Sequence, residues 1–283
     1  MSAEGGGGGE AGGRALCGTQ PGAELPRPDP RLRCCVVVPA RDEQALIGAC
    51  IDALARQRGA EPCLYELLLV LDVCRDETAR RARERAWAHP DLVLHLLAGP
   101  GSGAGAARRV GMERASERLH AIGRHDGLIA CTDADSRVAP DWIRVQLDAA
   151  ARGARAIGGR IELDPREELA LGGAVTRRRR DDARRRHARV LQRPGPPGST
   201  AEHWQFSGAS MAVTARTYRE VGGLEPLVAL EDEAFERALV RHGVPLQRSL
   251  AVRVRTSARL RGRARAGLAR DLEAAAREAA APR

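Results

Sequence analysis

Asp133 and Asp135 stand two residues apart, directly behind the apolar run Gly127-Leu128-Ile129-Ala130-Cys131-Thr132. Two carboxylates at the tip of a buried strand project toward one ligand. A hard divalent cation accepts one or two carboxylates and completes its shell with phosphate oxygens, so the pair suits Mg2+ or Mn2+ carrying a diphosphate. An Asp-x-Asp by itself is ordinarily a solvated acidic turn, and the strand in front of it sets this one apart. Three other apolar runs end in comparable chemistry: Pro39-Ala40-Arg41-Asp42-Glu43, Asp72 with Asp76 close behind, and Gly99-Pro100-Gly101-Ser102-Gly103. Open α/β sheets bind ligands at the carboxyl ends of their strands, so these groups define one site for a charged, polar ligand. Glu231-Asp232 opens a later helix. Acids are favoured in a first turn.

The elements that must position these groups follow from the apolar spacing. Buried strands are predicted at Cys34–Val38, Glu66–Leu71, Leu92–Leu97 and Gly127–Thr132, separated by helices at Gln44–Gln57, Asp76–Ala88 and Ala104–Leu119. This alternation predicts βαβ units and a parallel sheet. Beyond Pro140 the rhythm changes. Helices are predicted at Asp141–Arg152, Arg166–Gln192 and Glu231–His242, and strands at Ala156–Leu163, Gln205–Val213 and Ala251–Arg255, with an Ala/Arg/Glu-rich terminal helix after Gly262. Residues 1–32 are Gly- and Pro-rich and read as a disordered arm, 33–262 as one catalytic domain with a nucleotide half and an acceptor half, and 263–283 as a helical tail.

Composition narrows the function. The 283 residues carry a formal charge of +9, and the basic side chains are all Arg. A basic protein attracts phosphates, nucleic acid or anionic membrane, and Arg grips phosphate oxygens bidentately. Aromatic residues make up only 2%, which argues against a base-stacking surface for nucleic acid. Seven cysteines show no zinc spacing, and Cys34, Cys35 and Cys131 lie in apolar runs, consistent with a reducing compartment. No signal peptide is visible, and no apolar run approaches the roughly 20 residues of a membrane helix. The expectation is a cytoplasmic protein, with at most peripheral contact with a membrane surface. The Arg-dense stretch from Arg177 to Arg186 reads as a solvated helix face or as a surface for an acidic or phosphorylated acceptor or a membrane.

The ordered chain resembles the family 2 glycosyltransferases. The resemblance rests on Val36-Val37-Val38-Pro39-Ala40-Arg41-Asp42-Glu43, on Val70-Leu71-Asp72-Val73-Cys74-Arg75-Asp76-Glu77-Thr78, and on Gly105-Ala106-Ala107-Arg108-Arg109-Val110-Gly111. It continues through Asp133-Ala134-Asp135, Phe206-Ser207-Gly208-Ala209-Ser210-Met211, and Gly222-Gly223-Leu224 ahead of Leu230-Glu231-Asp232. Leu71 stands where the family carries the first Asp of a pair, and Val73-Cys74 where it carries Gly-Ser. The resemblance implies the GT-A fold, a Rossmann-like, mostly parallel central sheet flanked by helices. It implies a metal-dependent enzyme moving one sugar from a UDP- or GDP-linked donor to a hydroxyl acceptor, either a small molecule or lipid-linked. It assigns Pro39, Ala40, Glu43 and Asp72 to the nucleoside pocket, Arg108 to the nucleotide side, and Asp133 to the ribose or donor sugar and, with Asp135, to the metal. Gly208, Ala209 and Ser210 would border the donor sugar. Asp232, in the Glu231-Asp232 pair, would be the base of an inverting reaction. Ser257, Arg259 and Arg261 fall where such enzymes reach back to the diphosphate.

Three other readings use parts of the same sequence. A nucleotidyltransferase would share the nucleotide sheet and the acidic metal site, yet it calls for a Gly-rich first turn that Pro39-Ala40-Arg41-Asp42-Glu43 does not supply. A dinucleotide-dependent oxidoreductase would use the turn from Gly99 to Gly105 as a loose form of the dinucleotide fingerprint. An Arg-rich nucleic-acid-binding protein would show strong, salt-steep binding without a metal.

Overall fold

The computed structural model describes residues 24–193, 195–227, 229–260, 262 and 267–280. Cys17, Arg261 and most of the proposed N-terminal arm lie outside these residues. Strand β1 (Cys34–Ala40) is buried along its whole length. Its side chains alternate between two cores, as the two-residue period of a strand requires. Cys34, Val36 and Val38 enter one core, with Ile51 and Trp142, and Cys35 and Val37 enter the other, with Met112 and Phe235. A continuous apolar run is therefore what a sheet covered on both faces demands.

Helix α1 (Ile47–Ala55), strand β2 (Tyr65–Leu71), helix α2 (Thr78–Ala88), strand β3 (Leu94–Ala98), helix α3 (Ala104–Ala121) and strand β4 (Leu128–Cys131) continue the alternation. Strands β1 to β4 pair in parallel in the order β3-β2-β1-β4. Helix α3 lies close against this sheet because Gly111 has no side chain: a Cβ there would sit 2.3 Å from Val37 Cγ1.

The second half extends the same sheet. Strand β5 (Ser136–Val138), helix α4 (Trp142–Ala151), strand β6 (Ala156–Leu163), helices α5 (Pro165–Ala170) and α6 (Gly173–Gln192), strands β7 (Thr200–Ala201) and β8 (Met211–Thr214), helices α7 (Ala215–Glu220) and α8 (Glu231–Arg241), strand β9 (Leu246–Thr256) and helix α9 (Leu268–Ala280) follow in order. The sheet runs β3-β2-β1-β4-β8-β6-β9-β5, with β7 beside β9. β8 is antiparallel to both β4 and β6, and β9 runs parallel to β6. This is the mostly parallel, helix-flanked sheet expected from the sequence.

Several boundaries differ from the apolar pattern. The single helix expected over Arg166–Gln192 is two helices. Asp164 caps the first, accepting N–H bonds from Arg166 (2.9 Å) and Glu167 (3.4 Å), and Gly172 breaks the run at φ +82°. The strand expected over Gln205–Val213 is confined to Met211–Thr214, and the residues before it form a loop over the cleft. The last strand is longer than expected, starting at Leu246. Packing also reaches ahead of Arg33: Leu32 is buried, and the Pro26 carbonyl accepts a 2.8 Å bond from Arg118. The tail helix α9 docks on α6, with Leu272 and Ala275 joining Leu163, Val175 and Ala258 in a third apolar cluster. Among the described residues no helix is long and apolar enough to cross a membrane, and all six described cysteines are free thiols.

Candidate active site

The carboxyl ends of β1, β2, β3 and β4 open into a cleft of about 2600 Å³, walled on the far side by α6, α8 and the segment after β9. At the end of β1 the chain turns sharply. Asp42 adopts φ +51°, and its carboxylate accepts the Arg75 N–H at 2.7 Å. Asp76 accepts the Gln44 N–H (3.0 Å) and both the N–H and hydroxyl of Thr78. Asp42, Cys74 and Asp76 thus come within reach of one another, but their bonds knit the β1–α1 turn to the β2–α2 turn.

Asp72, at the end of β2, is almost fully buried. It accepts N–H bonds from Gly101 (2.6 Å) and Gly103 (3.0 Å), and Arg41 stands 3.7 Å from it. The acid thereby ties down the glycine turn that opens α3. Pro39 and Ala40 line the cleft beside it, and the Ala40 carbonyl accepts the Asp72 N–H at 2.8 Å.

Asp133 and Asp135 leave β4 toward the cleft and meet different cations. Asp133 Oδ1 accepts a 2.6 Å bond from Arg108 Nη2. Asp135 Oδ2 lies 2.8 Å from Arg259 Nη2, and its Oδ1 accepts the Thr256 hydroxyl at 3.2 Å. Arg259 also forms a bidentate pair with Glu43, at 2.9 and 2.6 Å. Burial raises the Asp135 pKa to about 6, helped by repulsion from Asp133, although Arg259 pulls it down.

Arg108 sits on α3 with 3% of its surface exposed. One end of its guanidinium holds Asp133 and the other pairs with Glu231 of α8. Burial alone lowers its pKa, but the two acids override this and hold it above the ordinary value. Glu231 is therefore the counter-ion of Arg108. Its neighbour Asp232 is the more open of the pair: Oδ2 accepts the Gly208 N–H at 3.1 Å and Oδ1 the Glu233 N–H at 2.9 Å. Leu230, at φ +59°, turns the chain so that both acids begin α8 at the cleft wall.

Gly208 is dictated by this arrangement, because a Cβ there would lie 2.4 Å from Arg108 Cζ. Gly208 and Ala209 line the cleft, whereas Ser210 turns into the protein and accepts a 3.2 Å bond from Trp142 Nε1. His203 is buried, with its pKa lowered to about 4 by burial and by Arg248 and Arg160, against the pull of the Ser249 carbonyl. The residues selected from the sequence thus converge on one cleft, except Ser210 and Asp76, which bond elsewhere. What spacing did not reveal is the Arg108 link between Asp133 and Glu231, or the Arg259 link between Glu43 and Asp135.

A profile of the family described as Glycosyl transferase family 2 matches residues 35–217, which holds every strand end of the nucleotide half. The chain belongs to glycosyl transferase family 2. Among solved structures, this family 2 chain is similar to the mannosyltransferase PcManGT from Pyrobaculum calidifontis in complex with GDP-Man and Mn2+. That match has 22% identity and a TM-score of 0.59, and it covers 83% of this chain and 60% of that one. It is also similar to S. aureus TarS 1-349 in complex with UDP-GlcNAc (13% identity, TM-score 0.58, 82% and 60% covered). A third is glucosyl-3-phosphoglycerate synthase from Mycobacterium tuberculosis with Mn2+, UDP and phosphoglyceric acid (16% identity, TM-score 0.52, 87% and 75% covered). These likenesses establish the GT-A fold. The chain spans about 60% of the length of the first two structures. No curated protein sequence matches it.

Proposed function

We propose that the chain transfers a single sugar from a nucleoside-diphosphate sugar to an acceptor hydroxyl, with inversion and with Asp232 as the base. The observation that carries this reading is the Arg108 guanidinium. It joins Asp133, at the tip of the nucleotide half, to Glu231, the residue beside Asp232. Asp133 and the residue next to Asp232 are thereby tied through one buried guanidinium, which supports placing donor and acceptor chemistry side by side.

Asp133 and Asp135 fit a divalent ion. Both are hard oxygen donors lining the cleft, and burial with repulsion from Asp133 disfavours the charge on Asp135, which Arg259 only partly offsets. Similar folds have been solved with Mn2+ and GDP-Man or UDP, which supports Mg2+ or Mn2+ here. Such an ion would neutralise the charge developing on the departing diphosphate.

The chain's own residues do the rest. Pro39 and Ala40 wall the nucleoside pocket, and Asp72 acts there by fixing the Gly101–Gly103 turn. Arg259, held between Glu43 and Asp135, and Arg41 bring positive charge to the diphosphate side. Gly208 and Ala209 border the sugar. Asp232 takes the acceptor proton, and the Gly208 N–H fixes its orientation. Glu231 positions Arg108.

A panel of UDP- and GDP-sugars with Mg2+ or Mn2+, read by release of the nucleoside diphosphate, tests the reaction. Asp232→Asn should bind donor as the unaltered protein does and lose transfer by about 10²–10⁴-fold, the usual worth of a general base. Normal transfer by that variant contradicts the base assignment.

A further inference from the structure

The Arg-dense helix α6 is more than a solvated face, because it forms one wall of the cleft that contains Asp232. Arg179, Arg186 and Arg189 fall on one side of the helix at its 3.6-residue period, Arg193 follows its last residue, and all four line the cleft. Arg179 is answered by Glu168 at 3.6 Å and Arg186 by Asp271 at 3.5 Å. Arg189 and Arg193 have no ion pair among the described residues. The Arg186 guanidinium lies 4.7 Å from the centre of the Trp204 ring. Stacking of this kind pre-sets a guanidinium and leaves its N–H edge open to an anion.

The acids on this side of the cleft are already engaged, Glu162 with Arg160, Glu168 with Arg179, Asp182 with Arg185 and Asp271 with Arg186. The Arg179 pKa is lowered by burial and by nearby Arg160, in spite of Glu168 and Glu162. His203, beside Trp204, is lowered by burial and by Arg248 and Arg160. The opposite wall differs, since its carboxylates at the ends of β1, β2 and β4 already hold Arg41, Arg108 and Arg259. The cleft is therefore divided, with a metal-and-nucleotide side of paired acids and an α6 side with guanidinium to spare.

We propose that the acceptor carries a phosphate group beside its reacting hydroxyl, and that Arg186, Arg189 and Arg193 bind that phosphate. This rests on the transfer reading above, with Asp232 facing the acceptor. A free phosphomonoester and a lipid headgroup both present such a phosphate, and the chemistry of recognition is the same for both: bidentate, charge-assisted N–H bonds to phosphate oxygens.

Trp204 provides the reporter. In the full chain with Trp87→Phe, exposed Trp87 is removed and fully buried Trp142 stays constant. Trp204 emission is then titrated with glycerol 3-phosphate against glycerol at matched ionic strength, and with phosphatidylglycerol vesicles against phosphatidylcholine vesicles. A saturable change with glycerol 3-phosphate identifies a free phosphomonoester, and a change with phosphatidylglycerol vesicles alone identifies a headgroup. Either should weaken by about tenfold or more in Arg189→Gln/Arg193→Gln, with Mn2+-dependent UDP or GDP binding unchanged. No response beyond the glycerol and phosphatidylcholine controls overturns the proposal, as does an equal response in the double variant. If UDP and GDP fail to bind the unaltered protein, the transfer reading falls, while the phosphate titration still decides separately whether α6 binds phosphate.

Discussion

At the scale of single residues, most carboxylates of the site are matched to a guanidinium, and Asp232 is held by backbone N–H groups instead. Arg108 is the most constrained, with Asp133 and Glu231 on its two ends and the backbone of Gly208 against its face. Gly208→Ala should force Arg108 out of this position. We expect a loss of about 1–3 kcal/mol in stability from overpacking, read as a lower urea midpoint, together with weaker nucleotide binding by calorimetry. Unchanged binding would show that Arg108 does not organise the donor side. Asp133, Asp135 and Asp232 were legible in the sequence because each follows an apolar run or opens a helix. Their partners were named too, but the pairings were not. Arg108 and Glu231 lie 123 positions apart, and Glu43 and Arg259 lie 216 apart. No local periodicity encodes a contact that only the closed sheet creates.

At the scale of elements, the turns after the strands carry the strain. Val73 has φ +55° with about half its surface exposed. A β-branched residue in the left-handed region is an outlier, and this is the position where the family resemblance called for Gly. Val73→Gly should relieve about 1 kcal/mol of backbone strain at little loss of burial, raising the melting temperature. A lower melting temperature would show that Val73 contributes packing that its exposure hides. Strands β1 to β4 were legible from apolar runs closed by Pro, Asp or Gly, signals that act within a few residues. The loop before β8 was not. Gln205 to Ser210 leads directly into the apolar run Met211–Val213, but Gln205 bonds the Ile161 backbone, Gly208 serves Asp232 and Ser210 serves Trp142. Those tertiary bonds outweigh local propensity. The start of α5 was present as Asp164-Pro165 and its break from α6 as Gly172-Gly173, signals that the helix-favouring residues on either side masked.

At the scale of the molecule, the two apolar cores and one buried ionic network hold the nucleotide half. Glu66 of β2 accepts Arg118 Nε at 2.5 Å and Nη2 at 2.6 Å, with His95 Nε2 at 3.3 Å. Burial alone would push its pKa up, but these bonds bring it down from 4.5 to about 2. A carboxylate lowered on folding stabilises the protein above its unfolded pKa, and that contribution is lost as pH falls through the folded value. Urea midpoints should therefore drop between about pH 4.5 and pH 2. Glu66→Ala, which takes the carboxylate from buried Arg118, should cost about 3–5 kcal/mol at neutral pH and flatten that acid limb. A variant with an unaltered acid limb would show that other groups set it. The central claim concerns the other end of the sheet, where we propose that Asp133 and Asp135 hold a cation and, through it, a diphosphate. Calorimetric titration of UDP and GDP with and without Mn2+, on the unaltered protein and on Asp135→Ala, tests it most directly. The account predicts tight binding of one nucleotide only with metal, lost in the variant. Metal-independent binding that survives Asp135→Ala would contradict it.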